Sequence, residues 1–309
     1  MGTAKRLLKQ FLQLPADALI ASSKKLPGKI SDSVIRDPRL HDKFYPYEAD
    51  RDFFILLKSS RRDPDGDNRG LPLPPQDLWA GYGTTVEYFL HSGNLDVDTM
   101  KKILDSSGFS IQDGNRLLDF GCASGRMMRW LDDMADRCEV WGVDISARHI
   151  IWCQEHLSPP FKFATVTTAP HLPFEDGYFD LIYCGSVFTH IADLADAWLL
   201  ELKRILKPGG RLYITIHDKH TIDLIINHPE KLYSDGLPAD EDFRNLLLLY
   251  DKTEKFMSLD FYMFTIDRGL DSQVFYDIDY LHQHWGRIFN VRSIIPEAYG
   301  YQTAMVLEK

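Results

Sequence analysis

The sequence predicts an α/β fold built on a doubly wound, mostly parallel sheet of seven strands, and three observations carry that prediction. From about residue 115, short apolar runs alternate with segments of helical periodicity. The first run ends in a glycine-containing loop that leads into a helix, Leu118-Asp119-Phe120-Gly121-Cys122-Ala123-Ser124-Gly125-Arg126. The next run ends on an acid, Asp144, 25 residues after Asp119.

The elements follow in order. Arg116 to Phe120 reads as the first strand, and residues 126 to 134 as a helix with Met127, Met128, Leu131 and Met134 on one face. Glu139 to Val143 is the second strand and Ala147 to His156 the next helix; residues 161–166 and Phe179 to Cys184 give the third and fourth strands. Ile191, Leu194, Ala195, Trp198, Leu199, Leu202, Ile205 and Leu206 recur at three- and four-residue intervals, the clearest helix in the chain. Lys207-Pro208-Gly209-Gly210 stops it, and residues 211–217 form the fifth strand. Residues 289–295 and 303–307 close the sheet around a turn at residues 297–300.

Two regions lie outside this rhythm. Residues 1–75 are an N-terminal extension whose end, residues 61–75, is rich in charge, Gly and Pro, so the main domain is expected over 76–309. Residues 218–276 are an insertion after the fifth strand, with a helical stretch near 245–250 and a hairpin facing residues 261–266 with 273–276. Its position beside the carboxyl ends of the strands is where open α/β sheets bind ligands. The aromatic residues Phe261, Tyr262, Phe264, Phe275, Tyr276 and Trp285 suit either an apolar acceptor or a small core of the insertion itself.

A net charge of -10 argues against a general nucleic-acid binder, which needs a basic footprint. Residues 1–30 nevertheless hold six Lys or Arg against Asp17 alone. The amphipathic pattern in residues 5–20 either contacts an anionic membrane surface or packs on its own domain or a partner chain. Cys122, Cys138, Cys153 and Cys184 form no C-x-x-C pair, which points to a reducing compartment rather than a disulfide framework or zinc knuckle. No apolar run reaches the roughly 18 residues that span a bilayer, and no signal-peptide core opens the chain. The expected location is the cytoplasm.

Chemistry concentrates at the strand ends. Gly121 and Gly125 let the backbone approach a ligand, and the following helical N-terminus presents unpaired N–H groups. Asp119 can receive a cationic group. Asp144 either binds a pair of ribose hydroxyls or caps the helix beginning near Ser146. Two further segments are Leu172-Pro173-Phe174-Glu175-Asp176-Gly177-Tyr178-Phe179-Asp180 and Leu206-Lys207-Pro208-Gly209-Gly210.

These segments, in this order and spacing over residues 76–218, resemble the class I, Rossmann-like S-adenosylmethionine-dependent methyltransferases, especially the branch acting on small molecules. The resemblance implies S-adenosylmethionine as cofactor and a small-molecule acceptor as partner. It implies that Asp119, Gly121, Ala123 and Gly125 surround the methionine part, that Asp144 holds the ribose hydroxyls and that Ile145 lies against the adenine. Tyr82 would close over the cofactor carboxylate, while Ser186, Val187 and His190 would border the methyl group and acceptor. Many relatives carry an Asp before the L-P-F segment; here Thr168 stands in its place.

A hydroxyl or carbon acceptor needs a base, and His190 and His217, both near strand ends, are the candidates; either is otherwise a structural histidine. His217-Asp218-Lys219-His220 is a weak metal pattern against a solvated loop, and no metal is expected. Two other readings compete. A nicotinamide-dependent oxidoreductase would want glycine at 121, 123 and 126, where the chain has Ala123 and Arg126. A non-catalytic cofactor-binding protein would show no methyl transfer to any acceptor.

Overall fold

Parallel strands form where apolar runs are covered on both faces. In the computed structural model these are β1 (Arg116–Phe120), β2 (Glu139–Asp144), β3 (Lys162–Thr165), β4 (Phe179–Cys184) and β5 (Leu206–Ile216). β1 pairs in parallel with β2 and β4, β2 with β3, and β4 with β5. A separate antiparallel hairpin, β6 (Met263–Ile266) and β7 (Gln273–Tyr276), belongs to the insertion. β8 (Asn290–Tyr299) and β9 (Gln302–Glu308) pair antiparallel, and β9 pairs antiparallel with β5. The sheet therefore runs β8-β9-β5-β4-β1-β2-β3, seven strands as expected. Its order reverses between β1 and β4, the switch point where such sheets open a ligand crevice.

The described residues are 48–49, 55–56, 66–67, 70–228, 262–266 and 272–309. Two compact units divide the chain, Met1–Arg62 and Asp63–Lys309. In the first, Glu48–Ala49 pairs with Ile55–Leu56. The amphipathic segment at 5–20 and the helix expected at 245–250 lie outside the described residues.

Helices cover both faces of the sheet. α1 (Val86–Ser106) and α3 (Ala147–His156) bury Val97, Met100, Leu104, Ile150 and Cys153 against one face. α4 (Ala195–Ile205) and α6 (Ile278–Trp285) bury Trp198, Leu202, Leu281 and Trp285 against the other. Between them lie a short α2 (Asp132–Ala135) and, after β5, α5 (Lys219–Asn227). Among the described residues no helix is long and apolar enough to cross a membrane.

Three elements depart from their expected form. The helix expected at 126–134 is a 3-10 turn, Met128–Leu131, followed by α2. Here Arg126 and Arg129 are both buried, with guanidinium groups on Asp96 and on the Pro72 carbonyl, and a Cβ at Gly93 of α1 would stand 2.6 Å from the Arg126 carbonyl. α4 starts at Ala195 rather than Ile191; residues before it form turns, and the Tyr276 hydroxyl donates to the Phe188 and Ile191 carbonyls at 3.2 and 2.8 Å. Lys207 to Gly210 lies within β5 as a bulge: β4 pairs Phe179 with Leu206 but Leu181 with Arg211.

The family-like segments have structural work in this frame. Asp180 accepts the Arg116 backbone N–H at 2.8 Å and Lys207 Nζ at 2.7 Å, tying β1, β4 and β5 at one end. Glu201 of α4 accepts the Leu172 N–H at 2.6 Å and pairs with Arg204, which pins the L-P-F segment.

Candidate functional site

The loop after β1 is shaped by left-handed backbone. Gly121 has φ 88°, and a side chain there would stand 2.3 Å from Val187 Cγ2, so only glycine fits. Ala123 takes φ 44°, a conformation costly for any residue with a Cβ. Its N–H donates to Asp144 Oδ2 at 2.8 Å, and its carbonyl accepts from the Cys122 and Cys153 thiols. Ser186, just past the end of β4, is the second non-glycine residue here with left-handed backbone, at φ 55°. Strain of this kind concentrates at functional sites and needs surrounding structure to hold it.

Asp119 is 3% exposed. Burial pushes its carboxyl up to about 8, against the pull of the Tyr183 hydroxyl and of Arg126, while the Asp144 charge adds to the rise. Arg126 does not neutralise it directly, because its guanidinium lies on Asp96 at 2.7 Å. A carboxyl at this strand end is thus set to ionise when a cation arrives.

Asp144 faces the same loop from the end of β2. One oxygen receives Ala123 N–H and the other Ser146 N–H, each at 2.8 Å. The helix cap is Ser146, whose side chain accepts the His149 N–H. Asp144 therefore braces the glycine loop, and a carboxylate that accepts two N–H bonds retains lone pairs for further donors. Ile145 beside it is 42% exposed, an apolar shelf at the crevice edge. Thr168, beyond β3, is exposed.

A closed polar ring stands behind Ser186. Its N–H donates to Thr215 Oγ1 at 2.7 Å, Thr215 donates to Gln302 Oε1 at 2.6 Å, and Gln302 Nε2 donates to Ser186 Oγ at 2.9 Å. Thr189 joins at 3.2 Å. Gln302 carries no local motif, and only the pairing of β9 with β5 brings it here.

The two histidines separate. His217 is 2% exposed between the rings of Phe275 and Tyr301, at 5.1 and 5.6 Å. Burial pushes it down to about 3, so it is neutral and a weak proton acceptor. His190 is exposed, with Nδ1 2.8 Å from the Ser272 carbonyl. A carbonyl can only accept, so Nδ1 carries the hydrogen and Nε2 is the basic nitrogen of the neutral ring.

The insertion is fastened to this segment. Val274 N–H donates to the Thr189 carbonyl and Tyr276 N–H to the His217 carbonyl, both at 2.8 Å. Phe264 stacks on the buried Phe275 at 4.8 Å, and Ile222, Ile225 and Ile266 complete a small core. Tyr276 and Trp285 instead join the core of the main sheet. Residues 217–220 also scatter: Asp218 caps α5 and accepts from Thr303, while His220 pairs with Glu297 at 2.9 Å.

Strand order, glycine loop and the two acids at adjacent strand ends define a Rossmann-like domain built for a nucleoside-containing cofactor. Residues 118–214 match the family described as "Methyltransferase domain", so this part of the chain is similar to S-adenosylmethionine-dependent methyltransferases. A ubiquinone/menaquinone biosynthesis C-methyltransferase from Chromobacterium violaceum is 32% identical over 128 residues, 40% of this chain and 51% of that protein. A methyltransferase from Streptomyces halstedii is 31% identical over 136 residues, 42% and 46% of the two chains. The chain thus spans about half the length of these curated relatives. A solved S-adenosylmethionine-dependent methyltransferase from Aquifex aeolicus aligns at TM-score 0.41 and 16% identity, over 70% of this chain and 92% of that one.

Proposed function

We propose that the protein transfers the methyl group of S-adenosylmethionine to a small-molecule acceptor, with cofactor contacts at Asp119, Gly121, Ala123, Gly125, Asp144, Ile145, Thr168, Ser186 and Tyr82. The observation that carries this reading is the buried Asp119 carboxyl at the end of β1, beside a left-handed glycine loop. That acid fits an amino-acid ammonium, which would compensate its desolvation. Asp144 fits a vicinal diol and Ile145 an apolar base, the other two parts of the same molecule.

When bound, S-adenosylmethionine supplies an electrophilic sulfonium methyl group. Most of what the chain contributes is alignment and exclusion of water. Asp119 and Asp144 fix the amino-acid and ribose parts of the cofactor, and the Ser186 ring holds the β4 tip that borders the methyl position. The described part of the insertion, the β6–β7 hairpin, walls the acceptor side, a reading supported by the seating of β7 on residues 189 and 217. For a hydroxyl or carbon acceptor, His190 Nε2 takes the proton. His217 stays neutral behind it. The four cysteines are buried free thiols, which supports a reducing compartment, and we place the protein in the cytoplasm.

Calorimetry with S-adenosylmethionine, S-adenosylhomocysteine and NAD tests the cofactor, with binding of the first two alone expected. Labelled methyl incorporation from cell extract tests the transfer. Tight NAD binding without response to the methionine ligands would refute the proposal; cofactor binding without transfer to any acceptor would make the chain a binding protein instead.

A further inference from the structure

Arg126 follows the glycine loop directly, yet its charge is directed away from the loop. It is 4% exposed, forms an ion pair with Asp96 Oδ2 at 2.7 Å and donates to Ser92 Oγ at 3.1 Å. Its Nη2 also donates to the Tyr299 hydroxyl, and the Tyr82 ring lies 3.7 Å over the guanidinium. Tyr299 comes from the β8–β9 hairpin, and its ring fills the space over Gly185, where a Cβ would stand 2.9 Å from it. The Tyr299 and Tyr82 hydroxyls are 2.7 Å apart.

Hydrogen-bond direction follows from the chemistry of the groups. A guanidinium can only donate, so the Tyr299 oxygen accepts from Arg126. Tyr299 is buried, and among the described residues its remaining hydroxyl partner is Tyr82. A buried hydroxyl hydrogen must find an acceptor, so Tyr299 donates to Tyr82. That leaves the Tyr82 hydrogen as the outward donor of the series, on the half-buried member. Each bond polarises the next, so the cation strengthens a neutral donor on the half-buried Tyr82.

We propose that Arg126, Tyr299 and Tyr82 form a relay that presents the Tyr82 hydroxyl to the α-carboxylate of the cofactor, with Tyr299 as the positioning residue. The relay rests on the cofactor reading above. It gives the amino-acid end two separate contacts, an acid for the ammonium at Asp119 and a cation-backed hydroxyl for the carboxylate. Asp96 keeps the buried guanidinium paired, so no net charge is stranded before binding.

The test compares S-adenosylhomocysteine with its decarboxylated analogue, by calorimetry, on the full chain. Wild type should bind S-adenosylhomocysteine more tightly. Tyr299→Phe keeps the ring over Gly185 and removes the relay hydroxyl; it should weaken S-adenosylhomocysteine by roughly tenfold, the scale of a hydrogen bond to a charged group. The analogue should change by less than about twofold. Tyr82→Phe should match that loss, and the double variant should lose no more than either single one. Equal losses for the two ligands, or additive losses in the double variant, would overturn the relay. Should Tyr299→Phe fail to fold, Tyr82→Phe with the same ligand pair decides: equal losses overturn the relay, and a loss confined to S-adenosylhomocysteine supports it. If wild type binds both ligands equally well, the relay fails while the cofactor reading stands; if it binds neither, the cofactor reading itself fails.

Discussion

Asp119→Asn is the sharpest perturbation of the site, because it removes the ability to ionise while keeping shape. Unfolded, the carboxyl releases its proton near the ordinary 3.8; folded and without ligand, it holds it up to about 8. Between those values the native state binds more protons than the unfolded state, so stability falls as pH rises through the window. At about 1.4 kcal/mol per pH unit, the stretch from 3.8 to pH 7 amounts to on the order of 4 kcal/mol as an upper bound. Asn cannot ionise, so the unliganded variant should gain stability over wild type as pH rises from 5 to 8. Cofactor affinity should move the other way, weakening by about 1.5–3 kcal/mol with loss of a charged hydrogen-bond partner. Binding of an ammonium should also drive the Asp119 proton off. Calorimetry at pH 7 in two buffers of different ionisation enthalpy should count close to one proton released by wild type and none by the variant. Equal proton release from the two, or a stability difference that does not grow with pH, would refute the reasoning.

Other expectations follow from the same geometry. Asp144→Ala should weaken S-adenosylhomocysteine by about 1.5–3 kcal/mol and speed hydrogen exchange at the Ala123 amide, which loses its acceptor; an unchanged dissociation constant would confine Asp144 to bracing the loop. His190→Ala should slow transfer to a hydroxyl or carbon acceptor by about 100-fold with cofactor affinity unchanged, as single-turnover and binding measurements would show. Folded His217 stays neutral down to about 3, whereas the unfolded ring protonates near 6.5, so stability falls as pH drops through that window; His217→Phe should flatten that part of the acid denaturation curve. Phe264→Ala, which unstacks Phe275, should cut transfer while leaving cofactor affinity within a few-fold, and unchanged activity would remove the insertion from the acceptor wall.

Local pattern determined a large part of this protein. Asp119 and Asp144 sit at adjacent strand ends because each closes a short apolar run, and α3 spans Ala147–His156 because Ser146 caps a periodic stretch. The parallel sheet itself follows from strands alternating with helices. These features depend on neighbours within a few residues, and sequence displays such neighbours directly.

Tertiary structure decided the environments. The rise of the Asp119 carboxyl comes from burial, which no spacing encodes, and only the rings of Phe275 and Tyr301 distinguish His217 from the exposed His190. Helical periodicity placed Ile191 in α4, whereas the folded helix starts at Ala195 and the Ile191 carbonyl accepts from the distant Tyr276 hydroxyl. Arg126 meets Tyr299 across 173 positions, through the antiparallel β8–β9 hairpin. Electrostatic energy depends on distance and solvent exclusion in three dimensions. The chain's residue order therefore set out the cofactor acids, while packing alone set their charge and brought them their distant partners.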